Sequence, residues 1–535
     1  MKIIVADKIS ERGLALLRDT GWQVLTPSAA ELPSAIADAD GLVVRSATKV
    51  NSGLLEKAQR LRVIGRAGVG VDNVDVDAAT RRGILVMNTP GGNAISVAEH
   101  TLALMICLAR SVPQASASTN AGKWEKSAFS GTELRGKTLG LVGLGRVGME
   151  VAKRARALGM RVIAHDPYVS PAAARELDVD LLPLDDILKE SNVISLHTSL
   201  SASTENLINA AAIAKMKKGA WIINCARGEL IEETALAEAL KSGQLAGAGL
   251  DTFAQEPPKN SPLIGLPNVI ATPHIAGSTR EAQEEVGTAI AQQVKDYLSE
   301  GMIRNAVNMP SLSADQYRRL KPYLELGERL GAFVAQAAPG RSFSRVRIRY
   351  TGDPAELGSH MIRASILAGI LNAVLDEHVN LVNAAEMASS RGLVVEETTH
   401  RRERGFPNTV EVTIGGGGSE LTVEGTVGQD GSPRILALDG IGLEAPLEGT
   451  LLLSRNVDVP GVIGKIGTAL GSLGINISTF TLGRRSATRG ADALSLVGLD
   501  GKVEASVVQH ILGLPNVTDV KLVRLPGAAK AGAAA

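Results

Sequence analysis

The stretch Leu141-Val-Gly-Leu-Gly-Arg-Val-Gly148 decides how this chain folds. It follows an apolar run with the pattern of a strand and opens a helical pattern, and the next apolar strand, Arg161-Val-Ile-Ala-His-Asp166, ends in an acid. Gly143 permits a tight turn, Gly145 lets the backbone approach a pyrophosphate, and Gly148 lets helix and strand pack closely. The start of the helix turns unpaired N–H groups toward anionic oxygens. Asp166 stands where a carboxylate takes a ribose 2′-hydroxyl and repels the extra phosphate of NADP. Pro167 and Tyr168 supply no cation to reverse that. A glycine triplet alone also closes ordinary strand-helix junctions, so the strand, the helix and the acid in register carry the assignment. The expected cofactor is NAD.

Working outward, the alternation of short apolar strands and helices extends on both sides. Upstream strands are expected at 3–6, 41–45, 61–66 and 84–88. A long apolar helix over 94–109 leads to the strand that feeds the glycine loop. Downstream strands are expected at 193–197, 220–225, 247–251 and 269–272, followed by an amphipathic helix over 280–300. This pattern predicts an α/β protein with a doubly wound parallel sheet. The chain divides into a flavodoxin-like substrate domain over 1–93 and 283–310 and a dinucleotide-binding Rossmann domain over 94–282. An α+β domain over 311–447 carries helices at 320–336 and 361–375 and the glycine run 415–418. A βαββαβ unit over 448–526 has a strand at 450–454 and a helix at 461–473, and a disordered alanine- and glycine-rich tail fills 527–535.

With 535 residues the chain exceeds what one hydrophobic core organises. Its 56 basic and 56 acidic residues cancel, which gives no reason to expect a nucleic-acid partner. Only Cys107 and Cys225 are present, both in apolar surroundings, which argues for a reducing compartment and small buried hydrophobes. The first residues, Met1-Lys-Ile-Ile-Val-Ala-Asp7, form a strand broken by an acid and not a signal peptide, and no membrane span is expected. The expected location is cytoplasmic.

Removing hydride from a secondary alcohol needs a group that takes the hydroxyl proton. His274, in Thr272-Pro-His-Ile275, lies just past a strand end, where ligands gather on an open parallel sheet. Glu256, in Phe253-Ala-Gln-Glu-Pro257, follows a neighbouring strand and can hold the second imidazole nitrogen. Arg227, in Asn224-Cys-Ala-Arg227, supplies a planar fork for a carboxylate. Each is unremarkable alone, but three such residues after successive strands make a catalytic set. His100 and His197 are expected to be structural or close to the cofactor, and no metal site is expected.

These residues, with Val44-Arg-Ser46, Arg66-Ala-Gly-Val-Gly-Val-Asp-Asn-Val-Asp75, Gly143-Leu-Gly-Arg-Val-Gly148, Asn224-Cys-Ala-Arg-Gly228, Glu256-Pro257 and Pro273-His274, resemble the D-2-hydroxyacid dehydrogenase family. The resemblance covers essentially the whole chain. Within the family it is to the long, serine-biosynthetic form, with an intervening domain and a C-terminal ACT domain. It implies NAD-dependent oxidation of 3-phospho-D-glycerate to 3-phosphooxypyruvate by Arg227, Glu256 and His274. It implies NAD contacts at Gly143, Gly145, Arg146, Val147, Gly148, Asp166, Thr198, Cys225, Ala226, Asp251 and Gly277. It also implies substrate contacts on cleft-facing loops: Arg45 at the phosphate, Asn93 and the loop before Gly70 at the carboxylate, and Arg66. The basic loop Lys123-Trp-Glu-Lys126 is similar to one that reaches a neighbouring subunit in relatives, and a homotetramer is implied. In the ACT-like unit, Asn456, Asp458 and Asn476 match positions that hold L-serine as an effector. Glu229, where relatives often have glycine, and Glu125, which lowers the charge of its loop, depart from the pattern. Alternatives are another 2-hydroxyacid substrate, such as 2-hydroxyglutarate or glycerate, or an NAD-sensing binding protein on the same fold.

Overall fold

The computed structural model describes all residues except 311, 313, 339–342, 401–405, 417–418, 489, 502 and 527–535. The predicted tail and the end of the glycine run therefore lie outside the described residues. The first sheet contains β1 (Lys2–Val5), β2 (Gln23–Leu25), β3 (Gly41–Val44), β4 (Val63–Arg66) and β5 (Leu85–Met87). Its order is β2-β1-β3-β4-β5 and every pairing is parallel. β2 is an addition to the sequence reading: it is a three-residue edge strand beginning at exposed Gln23, too short to show a period.

The second sheet holds β6 (Thr138–Val142), β7 (Arg161–His165), β8 (Asp180–Leu181), β9 (Val193–Leu196), β10 (Ala220–Asn224), β11 (Leu245–Leu250) and β12 (Val269–Ala271). Its order is β12-β11-β10-β9-β6-β7-β8, again parallel throughout. From β6 the chain steps outward to β7 and β8, then returns to β9 on the other side. The strand direction of travel thus reverses between β6 and β9, where an open α/β sheet forms its ligand crevice. The glycine loop leaves β6 at that point.

Two long helices tie the lobes together. Ala94–Arg110 buries one stripe, including Val97, Leu102, Leu104 and Met105, against the second sheet. Arg280–Glu300 returns to the first sheet, where a Cβ on Gly65 would stand 2.7 Å from Ile290 and Val294. Asn308 then donates to Ile84 O and accepts from Val86 N, closing the lobe. No single helix among the described residues is long and apolar enough to cross a membrane.

The third sheet comprises β13 (Arg345–Thr351), β14 (Val394–His400), β15 (Thr409–Gly416), β16 (Ser419–Val427), β17 (Pro433–Leu438) and β18 (Ile441–Pro446). It is antiparallel except for β13 with β14, and the helices Ala314–Ala337 and Ser359–Asn372 pack against each other beside it. The fourth sheet, β19 (Thr450–Val457), β20 (Ile477–Arg484), β21 (Asp492–Leu499) and β22 (Val517–Arg524), runs β20-β21-β19-β22 and is wholly antiparallel. With the helices Val462–Ser472 and Ser506–Leu512 it gives the βαββαβ order. Gln336 exchanges two 2.9 Å hydrogen bonds with the backbone of Arg524, joining the two C-terminal units.

Candidate active site

The C-terminal ends of consecutive strands in the second sheet form a row. Asp166 follows β7, Gly143–Gly148 follow β6, Thr198 follows β9, Cys225 and Ala226 follow β10, and Asp251 follows β11. At the usual strand spacing this row is about 20 Å long. Gly143 sits at φ +99°, and a Cβ there would press against the backbone of His197 and Thr198. A Cβ on Gly148 would stand 2.3 Å from Gly143 O, so the helix can approach the strand only with glycine present.

The residues present fit NAD. A Cβ on Gly145 would meet open space, and the Arg146–Ala157 helix that begins there has no side-chain cap, so its first N–H groups face outward. Asp166 accepts from Leu144 N and Tyr168 N, both at 2.8 Å, which fixes its carboxylate beside the loop. Arg146 bonds Pro90 O across to the other lobe. Burial drives His197 down to about 4, which keeps its ring neutral, and Ser195 Oγ lies 2.9 Å from its Nε2. Burial likewise pushes the Cys225 thiol up to about 12, so it is an inert small hydrophobe.

The three residues expected to do chemistry lie at the same edge. His274 Nδ1 is 2.8 Å from Glu256 Oε2, and Glu256 Oε1 accepts from Phe253 N at 3.2 Å. The hydrogen bond to Glu256 raises the His274 imidazole above its ordinary value against the opposing effect of burial, with the Glu256 charge adding to it. Burial pushes the Glu256 carboxyl up, but its bond to His274 and the attraction between them outweigh this, and it lies below the usual value. His274 has φ +53°, a left-handed conformation that costs a side chain on the order of 1 kcal/mol, and its N–H is anchored on Asp251 O at 2.9 Å.

Arg227 leaves β10 on a turn locked by buried Asn224, whose side chain donates to Arg227 O at 2.7 Å and accepts from Ala226 N at 3.0 Å. Its Nε bonds Asp72 Oδ2 at 3.0 Å, across the cleft in the first lobe, and its Nη1 bonds Ala226 O at 2.7 Å. Gly70 makes room for it, since a Cβ there would lie 1.8 Å from Nη2.

Arg66 closes β4, where the sequence reading ended its strand, and is largely buried, with its Nε lacking a partner. Burial, followed by the proximity of Arg227 and Arg45, pushes its guanidinium down, while Asp72 and Asp7 partly compensate. Arg45 is held by its backbone, with its N–H on Asp7 and its carbonyl accepting from Asn73, both at 2.6 Å. Asn93 lies in a turn, as the sequence reading expected. It stands at the start of the Ala94–Arg110 helix with its Oδ1 buried and unpartnered, and its amide abuts Gly277. Arg227 of the second lobe and Arg45 of the first thus both act on Arg66, and Arg227 also on the His274 imidazole.

The effector positions are not brought together within this chain. Asn456 is a buried member of β19, which runs to Val457, because the ladder with β21 continues past Ser454. Asp458 pairs with Arg484 at 3.2 Å, and Asn476 donates to Asp500 at 2.6 Å. In the basic loop at 123–126, Trp124 is 84% exposed and Glu125 accepts from Ser118. The sequence reading missed Asp72, Asn224, Thr272 and Asp7. All four lay within quoted stretches, but nothing in their spacing assigned them a partner; Asp72, for one, stands 155 positions from Arg227.

Known proteins share this organisation. Residues 102–276 match the family described as D-isomer specific 2-hydroxyacid dehydrogenase, NAD binding domain, and residues 319–439 the one described as D-3-phosphoglycerate dehydrogenase intervening domain. The chain is similar to D-3-phosphoglycerate dehydrogenase of Methanocaldococcus jannaschii, at 42% identity over 98% of this chain and 100% of that protein. It is 38% identical to the protein of the same name in Bacillus subtilis, with the same coverage. The solved structure of D-lactate dehydrogenase from Aquifex aeolicus complexed with NAD and lactic acid resembles it with a TM-score of 0.51 at 30% identity, covering 58% of this chain and 100% of that one.

Proposed function

The chain belongs to the D-3-phosphoglycerate dehydrogenase family, and we propose on that premise how its residues oxidise 3-phospho-D-glycerate to 3-phosphooxypyruvate. It is an NAD-dependent oxidoreductase. NAD, held along the Gly143–Gly148 loop and at Asp166, would supply the hydride acceptor for the substrate carbon. His274 receives the hydroxyl proton at Nε2, the nitrogen not committed to Glu256. Glu256 fixes the tautomer and stabilises the imidazolium that results. Arg227 holds the substrate carboxylate and the oxygen that becomes the carbonyl, using the Nη2 edge that Asp72 and Ala226 O leave open. Arg45 takes the phosphate, Arg66 adds positive potential, and Asn93 bonds the carboxylate end.

The observation that carries this reading is the cluster of Arg45, Arg66 and Arg227 beside the His274–Glu256 pair. A buried, partnerless Arg66 Nε is costly unless an anion completes it. A substrate with a carboxylate at one end and a phosphate of about −1.5 to −2 at the other meets that demand. The test is a panel of substrates with NAD. The kcat/KM for 3-phospho-D-glycerate is expected to exceed that for D-glycerate on the order of 10³-fold, since cations left unpaired reject an acid with no second anionic group. Equal rates would assign the site to another hydroxyacid.

We further propose that L-serine acts on the fourth sheet in an assembly of four copies, with Asp458 and Asn476 flanking the Val462–Ser472 helix and Asn456 behind them. Serine is expected to lower the rate of the full chain, and Asp458→Ala to lose that response while keeping its uninhibited rate. A wild-type rate that does not move with serine would reject the effector.

A further inference from the structure

The His274 turn is held from behind by a chain of polar groups that begins on another element. Asp251 is fully buried, and its carboxylate collects Thr272 Oγ1 at 2.5 Å, Ile275 N at 2.9 Å and Ala276 N at 2.8 Å. Its backbone carbonyl takes His274 N–H. One residue thus fixes the positions before, at and after the imidazole. His100, six residues into the Ala94–Arg110 helix, places Nε2 3.0 Å from Thr272 Oγ1 and 3.5 Å from Asp251 Oδ1.

The directions of these bonds follow from the proton count. An ionised carboxylate only accepts, so the single Thr272 hydroxyl proton points at Asp251. The Thr272 oxygen is then the acceptor for its other partner, so His100 must carry its proton on Nε2. Without that donor the hydroxyl can rotate away, and buried Asp251 loses a bond.

We propose that His100 is a positioning residue for the oxidation: through Thr272 and Asp251 it holds the left-handed turn that aims His274 at the substrate. This rests on His274 being the base. It explains why an apolar helix carries a histidine on the side facing β12, a feature with no part in binding either substrate charge.

The test uses the full-length enzyme with NAD and 3-phospho-D-glycerate, comparing wild type, His100→Leu, His100→Gln, Thr272→Val, Thr272→Ser and His274→Ala. His100→Leu is expected to lower kcat at least tenfold, in the range seen when an outer partner of a reacting group is lost. The KM is expected to stay within about twofold, because the arginines that bind the anion are untouched. His100→Gln, whose amide nitrogen reaches the same hydroxyl, restores most of the rate. A loosened turn weakens the contact of His274 with Glu256 and Asp251, the groups that raise its imidazole against Arg227. The acid limb of kcat/KM therefore moves to lower pH in His100→Leu, which a mere loss of folded enzyme would not do. Amide exchange across 272–279 accelerates in parallel, a readout independent of turnover. If His100→Leu does not fold, Thr272→Val and its rescue by Thr272→Ser carry the same comparison. An unchanged kcat and exchange rate, or a His100→Gln variant as slow as His100→Leu, overturns the proposal. A fully active His274→Ala instead removes the reading on which it rests, so the two failures are distinguishable.

Discussion

His274→Ala is expected to lower kcat for 3-phospho-D-glycerate oxidation by about 10³- to 10⁴-fold, the upper range for losing a positioned general base. The protein should remain folded, because the side chain is half exposed and makes one polar contact, with Glu256. Binding should survive as well, since the charges that hold the substrate lie on Arg45, Arg66 and Arg227. Steady-state kinetics with a circular dichroism control checks this. A kcat within tenfold of wild type would place the base elsewhere.

Arg227→Ala is expected to lower kcat/KM by about 10³-fold or more, with KM raised and kcat reduced together. It removes a charged donor from both the bound carboxylate and the developing carbonyl oxygen. Arg227→Lys should recover little. The guanidinium is oriented by Asp72 on Nε and by Ala226 O on Nη1, and its Nη2 edge fits against Gly70. An ammonium offers neither the fork nor an Nε. Kinetic constants for the two variants decide it, and a lysine variant within fivefold of wild type would show that charge alone suffices.

Much of the fold was legible because parallel sheets in α/β proteins write apolar strands as continuous runs between helices. The strands from β6 to β12 other than the two-residue β8 were placed within about two residues from such runs. β2 and β8 were not, since two or three residues at an edge carry no periodic signal. The extension of β19 to Val457 was also hidden. Arg455-Asn-Val-Asp458 looks like a turn, yet pairing on both sides with β21 and β22 holds it extended.

The candidate site divides in the same way. His274, Glu256 and Arg227 could be found because each follows a strand, and strand ends share one edge by topology. The close pairing of His274 with Glu256 then needs no further coincidence. What escaped is whatever depends on side chains meeting across lobes. Asp72 reaches Arg227 from the other sheet, and Arg66 is buried among Arg227, Asp72, Arg45 and Asp7. The direction in which His100 donates emerges only when Thr272 and Asp251 are seen to share a proton. Linear spacing holds no trace of these contacts.

The central claim, that a histidine raised by its acidic partner takes the substrate proton, is tested most directly by the pH dependence of kcat/KM in wild type and Glu256→Gln. Oxidation needs the neutral imidazole, so the rate is expected to climb with pH through a midpoint above the ordinary histidine value and then level off, while reduction of the keto acid falls over the same range. Glu256→Gln removes the charge that raises the imidazole, and the midpoint should move to lower pH with a reduced plateau. A midpoint that stays in place, or moves upward, would contradict the assignment of His274 and Glu256 as a working pair.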